Sequence, residues 1–325
     1  MIGGTSRASN EGRPGAGRRW LQAWQASRHE AWGDLTGYLF IAPAVVLFVV
    51  FGGWPVVRGF VMAFTDYRYL IPDYQPFVGL GNFVEMFHDS DFWDAFRRSL
   101  LFTLWYLPPD ILIPLALASL IARVRHSGVA ALYRVGAYLP VVLPTSVAIL
   151  LWAELFNSEY GYINIFLHNI LGLPIKPAWF GDTHLIIPSM AMASVWKHMG
   201  TNTLLFLVGL YNIPNEMYEA ASIDGANGWQ SWRSITLPLL KPMLVLVLVL
   251  SADVLSATQE ALILYNGGGP EDAAMTAGVY AYLTAFRLGD MRWGYAAAMN
   301  LTIGVIHMLA AVVIFRSLGS ERVQA

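Results

Sequence analysis

EAASIDGANGWQSWRSITLPLLKP, residues 219–242, is a polar island between two long apolar runs, and the chain around it is read outward from this stretch. The segment leading into it, Asn215 to Ile223, consists of helix-forming residues, with Asn215 and Glu216 near its start, where amide and acidic groups suit the helix dipole. Gly225 then ends that helix, because glycine enters the left-handed cap conformation without steric cost. Trp229 to Ile235 sets aromatic and aliphatic groups at helical spacing, and Pro238 and Pro242 bracket entry to the next apolar run. The expectation is a helix, a glycine hinge and a second helix, held outside a bilayer.

Composition supplies the bilayer. Of 325 residues, 56% are hydrophobic and 13% charged, and the mean hydropathy is +0.49, values that fit a polytopic membrane protein rather than a soluble domain. A formal charge of −2 gives no sign of nucleic-acid binding. With no cysteine, disulfides, thiolate metal sites and a cysteine nucleophile are excluded.

Residues 1–30 read as a disordered basic tail carrying Arg7, Arg13, Arg18, Arg19 and Arg28, and 31–325 as one membrane domain. Six apolar runs follow, at about 35–57, 99–122, 135–156, 185–210, 243–264 and 294–315, each near the roughly 20 residues that a ~30 Å hydrocarbon core requires. A polar stretch from Asp66 to Asp94 carries one short amphipathic helix, Asn82 to Phe87. The fold class expected is an all-α polytopic membrane protein with six transmembrane helices. Basic residues gather in the amino-terminal tail, the Arg123/Arg125/Arg134 loop and the Arg316/Arg322 tail, whereas the intervening segments are mostly acidic. By the positive-inside rule both termini are cytoplasmic, and with six spans the island is cytoplasmic too.

The island carries a family resemblance. EAASIDGA at Glu219–Ala226, followed by ITLP at Ile235–Pro238, resembles the EAA motif of ATP-binding-cassette importer permeases. The likeness extends through FVGLGNF (Phe77–Phe83), LPVVLPTSVAILLW (Leu139–Trp152), NSEYGYIN (Asn157–Asn164), SVWKHMG (Ser194–Gly200), NIPNEMYEAASIDGA (Asn212–Ala226), GGGP (Gly267–Pro270) and GYAAAMN (Gly294–Asn300). These look like the carbohydrate branch, similar to the larger maltose permease subunit and to glycerol-3-phosphate and trehalose permeases. The sequence departs from that pattern at Gln259–Glu260 and Tyr265–Asn266.

The resemblance implies a type I importer permease (MetI-like) fold in a bacterial cytoplasmic (inner) membrane. It implies that the 212–242 loop docks into an ATPase subunit through Glu219, Ala220, Ala221, Asp224, Gly225, Ala226 and Pro238. It also implies two ATPase subunits, a second homologous permease and an extracytoplasmic solute-binding protein. No GxxxxGK[ST] phosphate loop occurs in the sequence, so ATP and Mg are expected on the partner ATPases, with no cofactor, metal or catalytic residue assigned to this chain.

Polar side chains at membrane depth cost up to ~3 kcal/mol on insertion scales and therefore face a cavity or a partner helix. In the fourth and fifth runs these are Ser194, Lys197, His198, Thr201, Asn202, Ser251, Asp253, Ser256, Thr258, Gln259 and Glu260. The resemblance places sugar contacts at Ser194, Lys197, His198, Thr201, Ser251, Val254 and Thr258, and Asn202, Gln259 and Glu260 complete the expected substrate path. Lys197 also reads as a side chain reaching the interface, and Ser251 as bonding its own helix. An ion-coupled secondary transporter is the alternative, with Asp253 and Glu260 as its coupling carboxylates. An intramembrane enzyme finds no HExxH, GxSxG or paired aspartates.

Overall fold

The computed structural model describes residues 37–251 and 259–318; the basic tail, Asp253, Val254, Ser256 and Thr258 lie outside them. Two compact units divide at Gly59. In the first, residues 37–59 are helical and none is buried, as an apolar helix that faces lipid or a partner requires. This helix, α1, runs Gly37–Met62 and is long and apolar enough to cross a bilayer.

The second unit is helical throughout its described residues, apart from turns and one isolated bridge between Thr65 and Phe77. The short helix α2 (Gly81–His88) falls where the amphipathic stretch predicts it. The 33-residue α3 (Ser90–Ala122) starts well before the apolar run does. Asp89 makes that early start possible: its Oδ1 accepts from the backbone N–H groups of Asp91 (2.9 Å) and Phe92 (3.3 Å), capping the helix. Pro108, Pro109 and Pro114 all sit inside α3 without breaking it.

The third apolar run is not the single straight span that its hydropathy suggests. α4 (Ser127–Val142) and α5 (Thr145–Leu155) meet at 99°. Pro144 is the cause: its ring forces Leu143 out of the helical region to φ −68°, ψ 137°, and it has no N–H to return to the carbonyl of Pro140. α6 (Ile186–Tyr211) follows, then α7 (Asn215–Ile223) and α8 (Gly228–Leu239), which contains a π turn over Trp232–Thr236. α8 bends by 62° into α9 (Lys241–Ser251). The described chain resumes at α10 (Gln259–Tyr265), continues through α11 (Ala277–Phe286) and ends in α12 (Trp293–Leu318). α1, α3 and α12 each satisfy the length and apolarity of a membrane span, and each bent pair, α4–α5 and α8–α9, does so jointly.

α3 is the axis of the packing, since it contributes to all three apolar clusters. Phe102 and Tyr106 pack with Ile186, Met190 and Val195 of α6, Ala261 of α10 and Val279 of α11. Leu115, Ala118 and Ile121 pack with Phe206 and Leu207 of α6, Leu240, and Val247 of α9. Phe92 packs with Met86 of α2, Ala281 of α11 and Met299 of α12. Small residues set the closest approaches: a Cβ at Gly200 of α6 would meet the Ala137 carbonyl of α4 at 2.5 Å.

Carboxylates gather at the Asp89 end of the bundle. Asp89 Oδ2 accepts from Tyr280 (2.9 Å) and Tyr295 (2.6 Å), Arg292 forms a bidentate pair with Glu85, and Arg68 bridges Asp66 and Asp290. One residue thus caps α3 and ties α11 and α12 to it.

Candidate functional site

The 212–242 loop has the predicted helix, glycine hinge and second helix. α7 ends in a Schellman motif: Ala226 N–H bonds the Ala221 carbonyl at 2.9 Å and Gly225 N–H the Ser222 carbonyl at 3.2 Å, with Gly225 at φ +79°. A Cβ at Gly225 would touch nothing within 4 Å, so the requirement for glycine lies in the backbone and not in packing. Asn227 then opens α8 with a capping box, its side chain accepting from Trp229 and Gln230 N–H while Gln230 Oε1 accepts from Asn227 N–H.

The loop is rigid on one side and open on the other. Tyr218 and Thr236 share a 2.8 Å hydrogen bond that joins α7 to α8, and Ile213, Tyr218, Trp232 and Ile235 pack into the cluster around Leu115 and Phe206. Glu219, Ala220, Asp224, Gly225 and Pro238 are exposed, while Ala221 and Ala226 are half-buried. Ile223, beside them, is 86% exposed. A helix with no buried residue and an aliphatic side chain in water is a surface shaped to be covered.

Several of the polar side chains expected on a substrate path are engaged inside the bundle. Asp110 of α3, fully buried, accepts through Oδ2 from Asn202 Nδ2 (2.9 Å) and Ser251 Oγ (2.7 Å), linking α3, α6 and α9. Its Oδ1 has no hydrogen-bond partner. Twelve residues separate Asp110 from the end of α3 at Ala122, or ~18 Å at helical rise, which is membrane depth. Ser194 Oγ donates to buried Glu260 at 2.6 Å. Lys197 Nζ donates at 3.0 Å to the Val141 carbonyl, freed by the Pro144 bend. A cation is thereby set at the C-terminus of α4, where the helix dipole favours one.

His198, Thr201 and Gln259 remain exposed. His198 donates from Nδ1 to the Ser194 carbonyl at 2.8 Å and stands edge-on to Tyr106 at 6.3 Å. The open polar groups of α6 are therefore His198 and Thr201, one turn apart on one face. Asp110 is absent from the sequence-based list, although it is the lone charged residue of the 99–122 run. That isolation was the available signal.

Apolar helices of spanning length, polar contacts held at bilayer depth and a rigid loop with an uncovered face define a helical membrane permease. The chain belongs to the family of binding-protein-dependent transport system inner membrane components, whose model matches residues 78–320. It is 31% identical over 309 residues to the arabinooligosaccharides transport system permease protein of Bacillus subtilis, covering 91% of this chain and 94% of the relative. It is 32% identical over 288 residues to the trehalose/maltose transport system permease protein of Thermococcus litoralis, covering 88% and 94%. Among solved structures, a bacterial ABC transporter involved in import of the acidic polysaccharide alginate superposes with a TM-score of 0.76 at 22% identity, covering 94% of this chain and all of that one. The chain is accordingly a multi-span permease component of an ABC importer that depends on a binding protein, and the ion-coupled alternative is set aside.

Proposed function

We propose that this chain is one of two pore-forming permeases of a carbohydrate importer. It crosses the membrane six times, with α6 as the fourth span and both termini in the cytoplasm. The second permease is a homologous partner, and each permease presents its loop to one of two ATPase subunits that bind ATP and Mg. Closure of the ATPases moves α7 and α8 as a rigid body and carries the displacement into α6 and α9. Sugar released by the solute-binding protein enters a path on which His198, Thr201 and Gln259 offer hydrogen-bonding groups, as desolvated hydroxyls require.

The observation that carries the reading is the loop itself, anchored on its inner face by Tyr218–Thr236 and apolar contacts, with the EAA residues uncovered on its outer face. Relatives named for arabinooligosaccharides and for trehalose/maltose support a carbohydrate substrate. The test is purification of the tagged chain from its host in mild detergent, with identification of co-eluting proteins and an ATP hydrolysis assay. Recovery of an ATPase and a second permease, with hydrolysis stimulated by the sugar-loaded binding protein, is the expected result. Recovery of the folded chain alone would refute the docking role.

A further inference from the structure

A cleft of about 510 Å³ runs along α3 where that helix passes α8. Ala116, Ser119 and Leu120 of α3 and Arg123, its C-cap, line one wall at spacings of three, four and seven residues, a single stripe two turns long. Trp229 and Trp232 line the other wall, their rings stacked at 5.2 Å and 15°. The cleft is apolar at Ala116 and Leu120 and ends in a cation at Arg123. The Arg123 side chain forms no hydrogen bond or ion pair among the described residues, and no acidic side chain lines the cleft. Ser119 lines both this cleft and the adjoining one, while its Oγ is buried without a hydrogen-bond partner.

An apolar wall alone would suit any helix or lipid tail. The unpaired guanidinium narrows the occupant to an amphipathic anion. Tryptophan pairs mark the membrane–water boundary, at which such a molecule stands. We propose that this cleft holds an anionic phospholipid, with its phosphate on Arg123 and an acyl chain along Ala116 and Leu120. The site draws on the membrane placement of the family and not on the docking role of the loop. A failure of either leaves the other standing.

The test is native mass spectrometry of the full-length chain in mild detergent, titrated with phosphatidylglycerol and phosphatidylcholine of identical acyl chains. Wild type retains one phosphatidylglycerol in preference to phosphatidylcholine. Arg123→Gln lowers that retention about fivefold and leaves phosphatidylcholine unchanged, the effect of one interfacial arginine on an anionic lipid. Arg123→Lys restores most of it, and Ala116→Trp, or Ala116→Leu if the larger residue impairs folding, weakens both lipids. Equal retention of the two lipids by wild type overturns the proposal, as does an unchanged Arg123→Gln. Competition by glycerol phosphate as strong as by the lipid would show a phosphate site without an acyl groove. Loss of the lipid on assembly with partner subunits would show a protein interface. Either result also overturns the proposal.

Discussion

At Gly225 the cost of any other residue is conformational. An L-residue at φ +79° costs about 1 kcal/mol, and proline in addition cannot reach that φ and removes the N–H that closes on Ser222. Gly225→Ala is therefore expected to insert and fold while transport falls a few-fold, and Gly225→Pro to abolish transport at unchanged membrane abundance, as measured by labelled sugar uptake against immunoblotting. Glu219→Lys, on an exposed position, should match the proline variant in transport and wild type in thermal stability. Asp110 makes the opposite prediction. Asp110→Ala leaves Ser251 as a buried donor without an acceptor, at about 1–3 kcal/mol, and leaves Asn202 only the Asp110 backbone carbonyl at 3.3 Å, whereas Asp110→Asn keeps one acceptor oxygen for both. Thermal unfolding in detergent should fall markedly for alanine and much less for asparagine. An equal loss in both would mean that the carboxylate charge, not its hydrogen bonding, is what the bundle requires.

Individual helices differ in how far their sequence announces them. The Gly225 hinge, α2 and α12 were legible because caps and apolar periodicity act within one turn of the residues that cause them. The α4–α5 bend was not, because hydropathy averages over Leu139–Trp152 and gives Pro144 no special weight, although proline restricts both itself and the residue before it. The early start of α3 was hidden for a different reason: residues 90–98 interrupt their aromatic side chains with Asp91, Asp94, Arg97 and Arg98, and their helix is secured by Asp89, whose other oxygen holds Tyr280 and Tyr295. The hydrogen bonds of Lys197 to Val141 and of Ser251 to Asp110 reach partners 56 and 141 residues away, which no spacing along one helix announces. Lys197 now has an element-scale consequence. Lys197→Met removes a cation from the C-terminus of α4 and should cost about 1 kcal/mol, seen as a lower unfolding temperature, with Lys197→Arg close to wild type. If methionine were as stable as lysine, the Val141 contact would contribute nothing to holding the bend.

Across the whole molecule, the two ends of the bundle are fastened by different means. At one end, ionic and tyrosine–carboxylate contacts join segments about 200 residues apart, such as Glu85 and Arg292. At the other, the loop is held by apolar packing onto α3 and α6, and its two helices are joined by a hydrogen bond between Tyr218 and Thr236. In the proposed docking role, movement imposed on the loop is passed through α7 into α6 and through α8 into α9, which meet at the buried Asp110–Asn202–Ser251 contact. The Tyr218–Thr236 hydrogen bond is a direct polar link between α7 and α8, and losing it should loosen the pair without unfolding either helix, since a partly buried neutral bond contributes about 1 kcal/mol. In the assembled importer, Tyr218→Phe should leave basal ATP hydrolysis near wild type. Its stimulation by the sugar-loaded binding protein, and transport per ATP, should both fall. Thr236→Val removes the same bond from the other side, so the two single variants and the double should be equally uncoupled. Additive defects in the double variant would show that each side chain acts through separate contacts, and that the loop does not transmit force as one body.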